Sequence, residues 1–155
     1  MKLDGMDKVL LSIAISLFTF TSCQNVKQID PILKPYYEKC IATFKSNGIK
    51  VKNQPTIVKF VERLDGTGIA GLARGMNIDT FCYVWISPTF LEHDYNQRMW
   101  IMYHELAHDL FNIEHQESGM MGTRVPSRLY NKQFQEDLDG LIKLIKDEQR
   151  KSKLN

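Results

Sequence analysis

Long apolar runs, cysteines and any surplus of one charge are all scarce in this 155-residue chain. The longest apolar stretch, residues 9–20 (VLLSIAISLFTF), has 12 residues. A bilayer span needs roughly 20, so this run is too short to cross a membrane as a helix. Three cysteines exclude a disulfide-rich scaffold. A formal net charge of +2 leaves no basic footprint for nucleic acid. Nine glycines and five prolines, with no repeat, exclude a fibrous or linker-like chain. Histidine is scarce too, with only four in all, yet three of them fall within residues 104–115.

What is present at the N-terminus reads as a targeting segment. Lys2 and Lys8 precede the apolar run, and Thr21-Ser22-Cys23 follows it. The run matches the h-region of a secretory signal. The small residues before Cys23 resemble a bacterial lipobox, in which the cysteine is lipidated and becomes the new N-terminus. That resemblance implies a signal peptide over residues 1–22, a lipid anchor on Cys23 and a tether over residues 23–29. It also implies an exported, membrane-anchored protein at the periplasmic or outer cell surface, with plain secretion as the alternative. An exported chain permits a disulfide between Cys40 and Cys82. The simpler reading is two buried thiols acting as small hydrophobes.

Residues 30–155 have the size of one domain. Asp30 reads as an N-cap and Pro31 as a first helical residue. Ile32, Leu33, Tyr36, Tyr37, Cys40, Ile41 and Phe44 then recur at helical spacing up to Gly48. Residues 49–73 read as strands and turns. Thr56, Val58, Phe60 and Val61 lie in one run, Asp65-Gly66-Thr67-Gly68 is a turn, and residues 69–74 form a second strand containing Gly71. Residues 80–86 (TFCYVWI) predict another strand, whose edge could take up an extended peptide. Asp94 caps a long helix with apolar faces. After Pro126 a last helix runs over about residues 132–150, with Phe134, Leu138, Leu141, Ile142 and Ile145 as its buried stripe. Trp85 and Trp100 read as core. The fold class is therefore α+β: a helix on a small mixed sheet, a central helix and a C-terminal helix.

The central helix carries His104-Glu105-Leu106-Ala107-His108. Positions i and i+4 share one helix face, so two imidazoles there can grip one metal ion. The glutamate after the first histidine is placed to take a proton from water that the metal activates. His115 follows seven residues after His108. Helix propensity falls at Asn112, a residue that tolerates the left-handed turn ending a helix. Asp109 could orient a ligand imidazole or be a solvated carboxylate. His93 reads as a surface residue.

Residues 104–115 resemble the HExxHxxGxxH zinc motif of the metzincin metallopeptidases, one residue longer. Asn112 stands where their glycine lets the chain swing round. Ser118-Gly119-Met120-Met121 resembles their Met-turn, with Met121 the first choice for the methionine under the metal and Met120 the second. The resemblance implies a minimal zincin-like domain binding Zn2+ through His104, His108 and His115, with Glu105 as general base. Two rivals for the third ligand stay open. They are Glu114, at the ligand position if the extra residue is ignored, and Glu136 on the last helix, as in gluzincin-type sites. Tyr130 lies beyond the Met-turn at a spacing that does not carry over directly. The implied activity is zinc-dependent peptide-bond hydrolysis on a peptide or protein substrate, by a monomer that binds no nucleic acid. The alternatives are a lipid-anchored zinc-binding module without peptidase activity, and a structural lipoprotein in which HELAH is accidental.

Overall fold

The computed structural model describes residues 26–62, 64, 70–77 and 80–152. The signal segment, Cys23 and the turn at residues 65–68 lie outside the described residues.

The described chain is a small α+β domain: strands β1 (Lys27–Ile29), β2 (Thr56–Phe60), β3 (Gly71–Ala73) and β4 (Cys82–Ile86), with helices α1 (Lys34–Ser46), α2 (Tyr95–Phe111) and α3 (Asn131–Lys151). The sheet order is β1-β2-β4-β3. β1, β2 and β4 run parallel, and β3 pairs antiparallel with β4. Three expectations change here. Lys27–Ile29, assigned to the tether by sequence, is an edge strand in register with Thr56–Val58. The aromatic strand over residues 80–86 is internal, because β2 and β3 satisfy its two edges. The free edge on that side of the sheet is β3. Trp85 is not core either. The alternation of β4 buries Cys82, Val84 and Ile86 and turns Tyr83 and Trp85 to the outer face, where the Arg74 guanidinium lies 4.5 Å from the Trp85 ring.

The start of α1 also differs. Asp30 accepts the Ile32 N–H at 2.9 Å as expected of a cap, but residues 31–33 form a turn and the helix proper begins at Lys34. Gly48 ends it in the left-handed conformation (φ 76°). α2 begins in a full capping box, with the Asp94 carboxylate accepting the Gln97 N–H and the Gln97 side chain accepting the Asp94 N–H. Every residue from Met99 to Asp109 is buried, so this is a core helix and not a surface one. β3 and β4 cover one side of it, with α1 and α3 on others. α3 buries Leu138, Leu141, Ile142 and Ile145 of the expected stripe, while Phe134 is only half-buried against the same core. Cys40 and Cys82 are free buried thiols, as the simpler reading had it.

Phe44 locks α1 to α2. It is fully buried and meets Tyr103 and Phe111 edge to face at 5.5 and 5.1 Å. Phe44→Ala should cost about 3–5 kcal/mol in denaturant unfolding of the full-length protein. A loss under about 1 kcal/mol would mean that this aromatic cluster does not hold the helices together.

Candidate metal centre

The end of α2 makes the site. Asn112 is left-handed (φ 54°, ψ 35°), and its N–H caps the His108 carbonyl at 3.1 Å. The chain reverses there, buries Ile113 and returns toward the helix. The Gln116 N–H then donates to the Met121 carbonyl at 2.9 Å, tying the His115 loop to the short turn Gly119–Met121.

Both helix histidines are fixed from behind. His104 Nδ1 donates to the Met120 carbonyl at 2.8 Å, and His108 Nδ1 donates to the Ile113 carbonyl. A carbonyl only accepts, so in each ring the hydrogen sits on Nδ1 and Nε2 carries a bare lone pair. Those lone pairs converge. His108 Nε2 lies 3.0 Å, and His115 Nε2 3.3 Å, from His104 Nε2. Facing lone pairs repel unless a cation lies among them. The three histidines thus form a cluster that can hold a metal ion, two of them buried and His115 exposed. Trp100, one turn before His104, stacks on its ring at 4.9 Å with 14° between planes. Burial holds the His104 imidazole down at about 4, with further push from His108 and His115. Burial also lowers His108. Near neutral pH both are uncharged, the form that ligates.

Glu105 faces the same cleft of about 1200 Å3. It is buried under β3, where the Ala73 N–H donates to it. A Cβ on Gly71 would come within 2.6 Å of Glu105 Cγ, so only glycine lets the carboxylate approach the strand. Burial, aided by the nearby Asp109 charge and opposed by the Ala73 N–H, raises the Glu105 carboxyl to about 8.

The rivals fall away from the centre. Glu136 is exposed on α3 beside Lys132 at 3.8 Å. Glu114 and His93 line the cleft but stand outside the cluster. Tyr130 is exposed and does not line the cleft. Asp109 does not touch an imidazole. Its Oδ2 accepts the Gly75 N–H at 2.7 Å and the Tyr83 N–H at 3.0 Å. Met120 and Met121 are both buried, and Met120 serves His104 through its backbone carbonyl. Sequence reasoning missed the parts played by Gly71, Ala73, Gly75 and Asn77. Glycine inside or just after a strand was the available signal for two of them. Comparison with protein-family models, curated proteins and solved structures gives no match.

The shifts set the pH dependence of the metal-free fold. His104 falls from 6.5 to about 4 on folding, so below about pH 6.5 the unfolded chain takes up the proton first and acid destabilises. Glu105 rises from 4.5 to about 8, so above about pH 4.5 the unfolded chain loses its proton first and alkali destabilises. The two slopes oppose between those limits. From pH 6.5 to 8 only the Glu105 slope remains of this pair, about 2 kcal/mol in all. In chelator, Glu105→Gln should therefore remove an alkaline decline of that order seen in wild type. Parallel stability curves for the two proteins over that range would refute the raised Glu105.

Proposed function

We propose that the protein is a zinc-dependent, metzincin-like peptidase. The observation that carries this reading is the convergence of three imidazole Nε2 atoms beside a buried glutamate in one open cleft. Tetrahedral zinc, with bonds of about 2.0–2.1 Å, separates its ligand nitrogens by about 3.3–3.4 Å. The spacings of 3.0 and 3.3 Å between Nε2 atoms match that need with little adjustment. An all-imidazole donor set suits zinc, and three protein ligands leave a position for chemistry. A purely structural site would be closed by a fourth ligand; among the described residues the cluster contains three.

Zinc, when bound, supplies a Lewis acid that polarises a carbonyl and acidifies water. The rest is done by the chain. The backbone carbonyls of Met120 and Ile113 hold His104 and His108 in the ligating tautomer. Glu105 is the proton carrier: its carboxylate accepts the proton that water loses on attacking the peptide carbonyl, and returns it to the leaving nitrogen. Burial strengthens its hold on that proton, which suits the second half of the task. The cleft is lined by β3 and α2, with Arg124 and Glu92 also on its walls. A lipid on Cys23 would leave four residues of reach to Lys27, roughly 14 Å, and so would hold the domain close to an outer membrane surface.

Zinc should bind wild type at about one ion per chain and raise its thermal midpoint. His104→Ala and His108→Ala should abolish that rise. His115→Ala should weaken binding by more than the roughly 10–100-fold that follows loss of an outer hydrogen-bond partner. Glu136→Ala should change nothing, and full zinc occupancy in His104→Ala would sink the site. Glu105→Gln should keep zinc and lose about 10²–10⁴-fold in cleavage of an unbiased peptide library. Cleavage by that variant at the wild-type rate would remove Glu105 from the mechanism.

A further inference from the structure

The left-handed turn that ends α2 could be made by glycine with no steric cost. This chain uses Asn112, and the side chain is engaged: its Oδ1 accepts the Asn77 N–H at 2.6 Å. That bond is one of three in a row. The Ala73 N–H donates to Glu105, the Gly75 N–H to Asp109 Oδ2 and the Asn77 N–H to Asn112 Oδ1. The acceptors stand at i, i+4 and i+7, one face of a helix and the turn that ends it. The donors are alternate residues, the period of an extended chain. Ala70 and Arg74 hydrogen-bond to the β4 side, through Ser87 N and Tyr83 O, so the amides of residues 73 and 75 point away from β4. The free side of β3 and the loop after it are therefore held by side chains of the metal helix. Gly75 is part of the fit, since a Cβ there would lie 2.5 Å from Asp109 Oδ2.

Asn112 stands at the crossing of two systems. Its backbone turn delivers the Ile113 carbonyl to His108 and the chain to His115. Its side chain holds the end of the segment that walls the cleft through Met76. We propose that Asn112 is a positioning residue that couples the edge-strand wall of the cleft to metal occupancy. An ion on the three histidines fixes the Asn112 turn, and the fixed turn fixes residues 75–77. This coupling rests on the zinc reading above; the Asn112–Asn77 tie itself does not.

Full-length protein with Asn112→Gly keeps the left-handed turn and loses the acceptor, whereas Asn112→Asp keeps the acceptor. Amide hydrogen exchange, read residue by residue with and without zinc, tests the tie. In zinc-free protein the Asn77 amide should exchange about three- to tenfold faster in Asn112→Gly than in wild type, with Asn112→Asp near wild type. Zinc should slow exchange at Gly75 and Asn77 in wild type and Asn112→Asp, and much less in Asn112→Gly. Zinc affinity of Asn112→Gly, measured against a chromophoric chelator, should stay within about tenfold of wild type. Equal zinc protection of residues 75–77 in Asn112→Gly and wild type would overturn the coupling. So would an affinity loss as large as that of His115→Ala, because the residue would then serve the ligand turn alone. A wild type that binds no zinc would overturn the metal reading and the coupling together, while the zinc-free exchange rates would still decide whether the side chain holds the loop.

Discussion

Two hydrogen bonds from imidazole to backbone decide what this site is. His104 and His108 each donate Nδ1–H to a carbonyl in the chain that follows α2, at Met120 and Ile113. Without those carbonyls each ring could carry its hydrogen on either nitrogen, and each could rotate. With them, both Nε2 lone pairs point at one place, and His115 supplies a third. The acceptors are backbone atoms of the turn at Asn112 and of the turn Gly119–Met121. The geometry of the histidine cluster therefore depends on how the chain leaves the helix, and less on the helix itself.

The helix that carries His104 and His108 is buried along most of its length. From Met99 to Asp109 it has no exposed residue. Phe44 of α1 and the stripe of α3 pack on it, and β3 and β4 cover a further side. On that covered side strand backbone meets Glu105 at Ala73 and Asp109 Oδ2 at Gly75 and Tyr83, while Asp109 Oδ1 is buried without a hydrogen-bond partner. Buried carboxyl groups need such partners, because an unsatisfied one costs free energy comparable to the bond it lacks. Gly71 and Gly75 are small for this reason, since a Cβ at either would occupy the space of the carboxyl group opposite. The sheet edge and α2 thus fit each other through the absence of two side chains.

Most of the site was legible in the sequence because it is local. HELAH, the Asn112 turn and His115 span 12 residues, and helix geometry alone places the first two histidines of the cluster. The α+β class and the three helices were readable from periodicity and caps, Asp94 and Gly48 above all. What could not be read depends on pairing between distant segments. Lys27–Ile29 is polar enough to pass for a tether, and only its register with Thr56–Val58 makes it a strand. Residues 80–86 looked like an edge because nothing in their sequence names their neighbours. Trp85 looked like core for its size, but the two-residue period of β4 points it outward. Asp109 sits one residue from His108, which suggested the imidazole as its partner. Its real partners lie 34 and 26 residues away, and they are backbone N–H groups that any residue type could offer.

The charge state of the metal-free site follows from the same burial. Near neutral pH His104 and His108 are neutral, and Glu105 holds its proton. These three groups then bring no charge into the interior, where an uncompensated one would oppose folding. A cation among the Nε2 atoms reverses the balance for Glu105 alone, because an adjacent positive charge favours carboxylate over carboxylic acid. The Ala73 N–H favours that carboxylate form. Without a cation the site is uncharged at these three groups; with one among the Nε2 atoms, the carboxylate form of Glu105 would be favoured.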